Sequence, residues 1–112
     1  MSFNVGFIVV NGSATETMTK VSVVSDQNSA PITAEVLHPG EAAGPVYISE
    51  NGSQNWILSY HVGGQCYYRD SKECGFDDSD DGQIAMIILY PGNFSVIPPQ
   101  SSNCPNNYVD NC

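Results

Sequence analysis

Nowhere in this chain does an apolar stripe with a 3.6-residue period run for three turns. Short β-branched and aromatic runs recur instead, separated by turn signals every eight to twelve residues. Val5–Val10 ends at Asn11-Gly12-Ser13. Met18–Ser25 alternates polar and apolar residues, as a half-buried strand does. Ile32–Leu37 sets Ile32, Ala34 and Val36 against Thr33 and Glu35, then stops at His38-Pro39-Gly40. Pro45–Ser49 ends at Glu50-Asn51-Gly52-Ser53. Asn55–Val62 places Trp56, Leu58, Tyr60 and Val62 on one face and Ile57, Ser59 and His61 on the other. Gly63-Gly64 reads as a hairpin turn into Gln65–Arg69. Ile84–Leu89 is apolar on both faces, which predicts a central or interface strand. Pro91-Gly92 turns the chain into Phe94–Ile97.

These segments predict an all-β fold, an antiparallel β-sandwich of jelly-roll or immunoglobulin-like type with seven to eight short strands. The 112 residues make one domain, 1–112, with an irregular polar tail over 100–112. Hydrophobic residues make up 41% and charged residues only 13%, which fits a folded chain rather than a disordered one.

Twelve acids stand against Lys20, Arg69 and Lys72, for a net charge of −9. No basic cluster exists to displace counterions, so nucleic acid is excluded as a partner. Anionic membranes are disfavoured on the same ground. No segment has the apolar length of a transmembrane helix. The opening Met-Ser-Phe-Asn-Val-Gly lacks the basic start of a signal peptide, so the sequence reads as cytoplasmic or unconventionally secreted.

Four cysteines form two matched C-x7-C spacings, Cys66 with Cys74 and Cys104 with Cys112. Local pairing within each spacing is the favoured expectation, with four reduced thiols as the alternative. Three Asn-x-Ser sequons occur. Those at Asn11 and Asn51 read better as Asn-Gly turns, and the third is at Asn93.

Phe76–Gln83 packs four carboxylates into the five positions before Gly82. Like charge at that density calls for a compensating cation. Asp77, Ser79 and Asp81 present oxygens at alternate positions before Gly82, as in the first half of a calcium loop. Ile88 stands where the closing Glu of an EF-hand would be, so Ca2+ here would need further ligands. A solvated turn beside Arg69 and Lys72 is the competing reading.

Catalysis has little support. His38 and His61 are the only imidazoles, and neither sits in a nucleophile or metal motif. Binding has more. An aromatic plate with nearby carboxylates and amides is what a sugar site needs. Trp56, Tyr67, Tyr68, Asp70 and Asp78 are the candidates. Tyr67 and Tyr68 are adjacent on a strand, so one faces out when the other faces in.

The opening strand ending in Asn-Gly, the mid-chain Trp56 strand and the cysteine-flanked acidic loop together resemble the small β-sandwich lectins and haemagglutinins of fungi and slime moulds. The layout is also somewhat similar to the aegerolysin-type jelly rolls. The first resemblance implies a non-catalytic lectin with glycan partners; the doubly apolar Ile84–Leu89 strand would supply valency by homo-oligomerisation. The second implies a lipid-recognising or membrane-active jelly roll. A calcium-stabilised structural sandwich is a third reading.

Overall fold

The computed structural model describes residues 3–25, 31–50, 53–75, 81–97 and 108–112. Nine strands lie among them: β1 (Phe3–Asn11), β2 (Met18–Ser25), β3 (Ile32–Leu37), β4 (Ala42–Glu50), β5 (Ser53–Val62), β6 (Gln65–Gly75), β7 (Ile84–Tyr90), β8 (Asn93–Ile97) and β9 (Asp110–Asn111). They form two sheets. One has the order β4-β1-β7-β8 and the other β3-β2-β5-β6-β9. The fold is therefore all-β and two-layered. It is not wholly antiparallel, because β1 runs parallel to β7, with Gly6 opposite Ile84 and Val10 opposite Ile88.

The two-residue period supplies the core. Val5, Phe7 and Val9 of β1 and Ala85, Ile87 and Leu89 of β7 are buried from one sheet. Val21 and Val23 of β2 and Leu58, Tyr60 and Val62 of β5 meet them from the other. Tyr60 crosses the sandwich. Its hydroxyl donates to the carbonyl oxygens of Tyr90 at 2.6 Å and Asn93 at 3.0 Å, on either side of the β7–β8 turn. Burial, followed by the neighbouring Tyr67, pushes the Tyr60 hydroxyl well above the ordinary phenol pKa. It stays a proton donor throughout the physiological range.

Val36 departs from its expected inward position. Met18 and Leu37 face each other and are both buried, as are Val21 and Val23. Alternation therefore changes phase on both strands, and Val36 turns out, 49% exposed. Lys20 sits in the interval with φ 51°, a left-handed conformation costly for a residue with a Cβ. The β2–β5 register shifts across the same stretch, between Thr19 and Ser22.

Asn11 is neither a hairpin turn nor an open sequon. It is fully buried. Its Nδ2 donates to the carbonyls of Glu16 and Leu37, both at 2.8 Å, and its Oδ1 accepts from the Ser13 amide at 2.9 Å. With both amide hydrogens engaged, it offers no acceptor nitrogen for a glycan.

The tail is ordered where it is described. Asp110 and Asn111 pair with Tyr68 and Tyr67, and Tyr108 bridges to Asn93 of the other sheet. Cys66 is bonded to Cys112, with Cα atoms 5.3 Å apart. This overturns the expected local pairings. Cys66 and Cys74 both lie on β6, and eight residues of extended strand separate their Cα atoms by roughly 26 Å. A disulfide spans at most about 7 Å. Cys104 lies outside the described residues.

Three outcomes check these assignments. Tyr60→Phe removes the shared donor and leaves two turn carbonyls short of a partner, so urea unfolding should show a loss of about 1–3 kcal/mol. Cys112→Ser opens a loop spanning 46 positions and should cost about 4 kcal/mol. Mass spectrometry of unreduced protein should recover a linked 66–112 peptide, and a 66–74 link in its place would refute the register.

Candidate functional site

The outer face of the five-stranded sheet is the polar one. Strand register sets a row of side chains across it. Ser22 of β2 lies opposite Thr33 of β3 on one side and Ser59 of β5 on the other. Ser59 lies opposite Tyr68 of β6, and Tyr68 lies opposite Asp110 of β9. Direct partners in an antiparallel pair share a face. The row Thr33–Ser22–Ser59–Tyr68–Asp110 thus crosses all five strands, over roughly 19 Å at about 4.8 Å per strand.

Tyr68 is the exposed ring in this row, at 38%. Thr33 and Asp110 are exposed, and Ser22 and Ser59 half-buried. None of the five side chains hydrogen-bonds to another described residue. At the β3 edge, Lys20 and Glu35 join Ser22 and Thr33 around a shallow depression. The left-handed backbone at Lys20 goes with the phase change that leaves it exposed beside this depression. A second row, Val36–Thr19–His61–Cys66, runs beside the first and ends at the Cys66–Cys112 disulfide.

The face offers hydroxyls that both donate and accept, a phenol ring, an ammonium and two carboxylates. It is broad and open. Chemically, it suits a flat, uncharged, hydroxyl-rich ligand lying across the strands.

The expected site residues separate. Tyr68 faces out. Tyr67 faces in, half-buried against the core, with its ring centroid 5.4 Å from that of Tyr60. Tyr67 is therefore not a plate on the outer face. The side chains of Trp56 and Asp70, and the whole of Asp77, Asp78 and Ser79, lie outside the described residues. Asp81 is exposed in the turn before β7. Among the described residues, no three His, Cys, Asp or Glu side chains gather at one point.

Arg69 is engaged by the tail. Its guanidinium lies 4.1 Å from the centroid of the Tyr108 ring, and its Nη1 donates to the Tyr108 carbonyl at 3.0 Å. His38 forms an exposed pair with Glu41, Nδ1 to Oε1 at 2.8 Å. The His38 amide also donates to that carboxylate, and these bonds hold the Glu41 pKa below its ordinary value.

Ser22, Ser59, Thr33 and Lys20 do not stand out in the sequence. Parity within β2 and β5 signals that Ser22 and Ser59 face outward. Only the inter-strand register places them beside Tyr68 and Asp110. Comparison with protein-family models and with curated proteins gives no match to this chain.

Proposed function

We propose that the chain is a carbohydrate-binding module, a non-catalytic lectin, and that its site is the outer face of the five-stranded sheet. The observation that carries this reading is the row across that face, in which an exposed Tyr68 sits between Ser59 and Asp110 with side chains unengaged by other described residues. A sugar ring stacks its apolar face on the phenol. Its hydroxyls exchange hydrogen bonds with Ser59, Ser22 and Thr33, and Asp110 accepts from one of them. Lys20 and Glu35 extend the same chemistry to the β3 edge, so the face fits an extended oligosaccharide better than a single ring. The net charge of −9 favours neutral glycans over sulfated or phosphorylated ones.

The Cys66–Cys112 disulfide favours an oxidising compartment over a reducing cytosol. That is also where a glycan reader meets cell-surface sugars. We also propose Ca2+ as a ligand of Asp77, Ser79 and Asp81.

A glycan array, run first with calcium and then with a chelator, tests the reading. Titration with the best hit should give an affinity that falls ten-fold or more in Tyr68→Ala and in Asp110→Asn, with unchanged melting. In Asp110→Asn such a drop corresponds to losing a charged hydrogen bond worth about 1.5–3 kcal/mol, and in Tyr68→Ala to losing the stacking surface. Silence on every glycan would end the lectin reading. Binding that both variants retain would move the site off this face.

A further inference from the structure

The other outer face is apolar along its central strand and carries no exposed charge among its described positions, whereas the five-stranded face mixes Val36 and Ile57 with its polar row. On the four-stranded sheet the outward positions of β7 are Ile84, Met86, Ile88 and Tyr90, since Ala85, Ile87 and Leu89 point into the core. Ile8 and Val10 of β1 lie opposite Met86 and Ile88 in the register, and Ile97 of β8 lies opposite Met86 from the far side. Tyr47 of β4 lies opposite Gly6. Ile84, Ile97 and Tyr47 keep 44, 50 and 52% of their surface exposed. A sheet with one face on water ordinarily alternates apolar-in and polar-out. β7 breaks that rule along its whole length.

Side chains on this face pack over the bare backbone of Gly6. A Cβ on Gly6 would lie 2.8 Å from the Tyr47 ring and 3.1 Å from Ile84 Cγ1, so both side chains lie across the bare backbone there. A Cβ on Gly12 would likewise run into Ile88 and Tyr90. Large side chains laid over glycine give a smooth surface, as face-to-face sheet packing at about 10 Å requires.

We infer that this face docks a second copy of the chain, sheet against sheet about a two-fold axis. Charge selects the partner. At a net charge of −9, two copies repel through most of their surfaces. Among its described positions the outer face of the four-stranded sheet carries no charged side chain, whereas the opposite face carries Lys20, Glu35 and Asp110. Two copies therefore meet here without opposing like charges, and a charged partner finds nothing to pair with. A two-fold axis closes the assembly at a dimer.

Area bounds the class of interface. Four strands of five to seven packed residues present roughly 400 Å2 of sheet. With side-chain relief and the rim around Asn93 and Ser95, two copies remove on the order of 1,000 Å2, the lower bound for a specific interface. An interface at that lower bound is expected to be weak and reversible. The dimer's two polar faces would then look outward in opposite directions. The dimer does not rest on the sugar reading; if both hold, one particle bridges two glycan surfaces.

Sedimentation velocity on the oxidised full chain, from about 1 to 200 μM, should show a monomer–dimer equilibrium. Ile84→Lys with Ile97→Lys should raise the dissociation constant at least 100-fold, although the added lysines lower the net repulsion between copies. Ile84→Thr with Ile97→Thr keeps β-branching at both positions and should raise it at least ten-fold, should the lysine pair not fold. Tyr68→Ala, on the opposite face, should leave the dimer unchanged. A chain that is monomeric at the top concentration overturns the proposal. So does a dimer that survives either folded double variant. A monomer that co-sediments with phosphatidylcholine vesicles also overturns it, and assigns the face to lipid.

Discussion

Asn11 fastens one end of the sandwich. It is the described polar side chain that is fully buried, and its side-chain and main-chain groups are engaged on several sides. Nδ2 holds the carbonyls of Glu16 and Leu37, and Oδ1 holds the amide of Ser13. Its backbone amide donates to Glu41 and its carbonyl accepts from Gly40. One residue at the end of β1 thereby ties together the approach to β2, the end of β3 and the turn that starts β4. β1 and β4 belong to one sheet, β2 and β3 to the other. A buried amide satisfied this completely rigidifies its surroundings, whereas a half-satisfied one would cost more than an apolar side chain. The phase change at Lys20 and the depression beside it lie on the strands that this fastening positions.

What could be read from the sequence depended on the range of the signal. Period-two alternation is local, so β2 and β3 occupy the expected residues and the inward set of β5 is found from Leu58, Tyr60 and Val62. The two-sided apolarity of β7 was equally plain. Pairing between distant strands leaves no such period. Nothing in Val5–Val10 or Ile84–Leu89 announces that they run parallel. The far half of β6 carries Arg69, Asp70, Lys72 and Glu73, and so lacks the apolar alternation that marks a strand. β9 is two polar residues long, held by register, a disulfide and the Arg69–Tyr108 contact rather than by burial. Matched cysteine spacing invited a local pairing that an extended strand cannot make.

The site shows the same division. Side-chain parity separates Tyr68 from Tyr67, and that much follows from adjacency. The company Tyr68 keeps does not, because Ser22, Thr33 and Asp110 come from strands far apart in the chain. A row across a sheet is a property of register, and register is set by bulges and turns. Gly63, at φ 60°, and Gly64 close the β5–β6 hairpin in two residues, which fixes Ser59 opposite Tyr68. The phase change around Lys20 brings Ser22 and Thr33 into the same line.

The far end of that row depends on covalent chemistry. Asp110 stands two residues before Cys112, on a strand that makes only two pairs with β6. Hydrogen bonds this few on an edge strand are weak against fraying. The bond to Cys66, the amide of Cys112 donating to the Cys66 carbonyl at 3.1 Å, and Arg69 over Tyr108 hold the strand in place. Reducing the disulfide would leave Asp110 on a tail held only by these weaker contacts, while Tyr68 and Ser59 stayed fixed by their hairpin. The bond that closes this edge of the sandwich therefore also holds Asp110 opposite Tyr68, so the fold and the row across its outer face share one covalent tie.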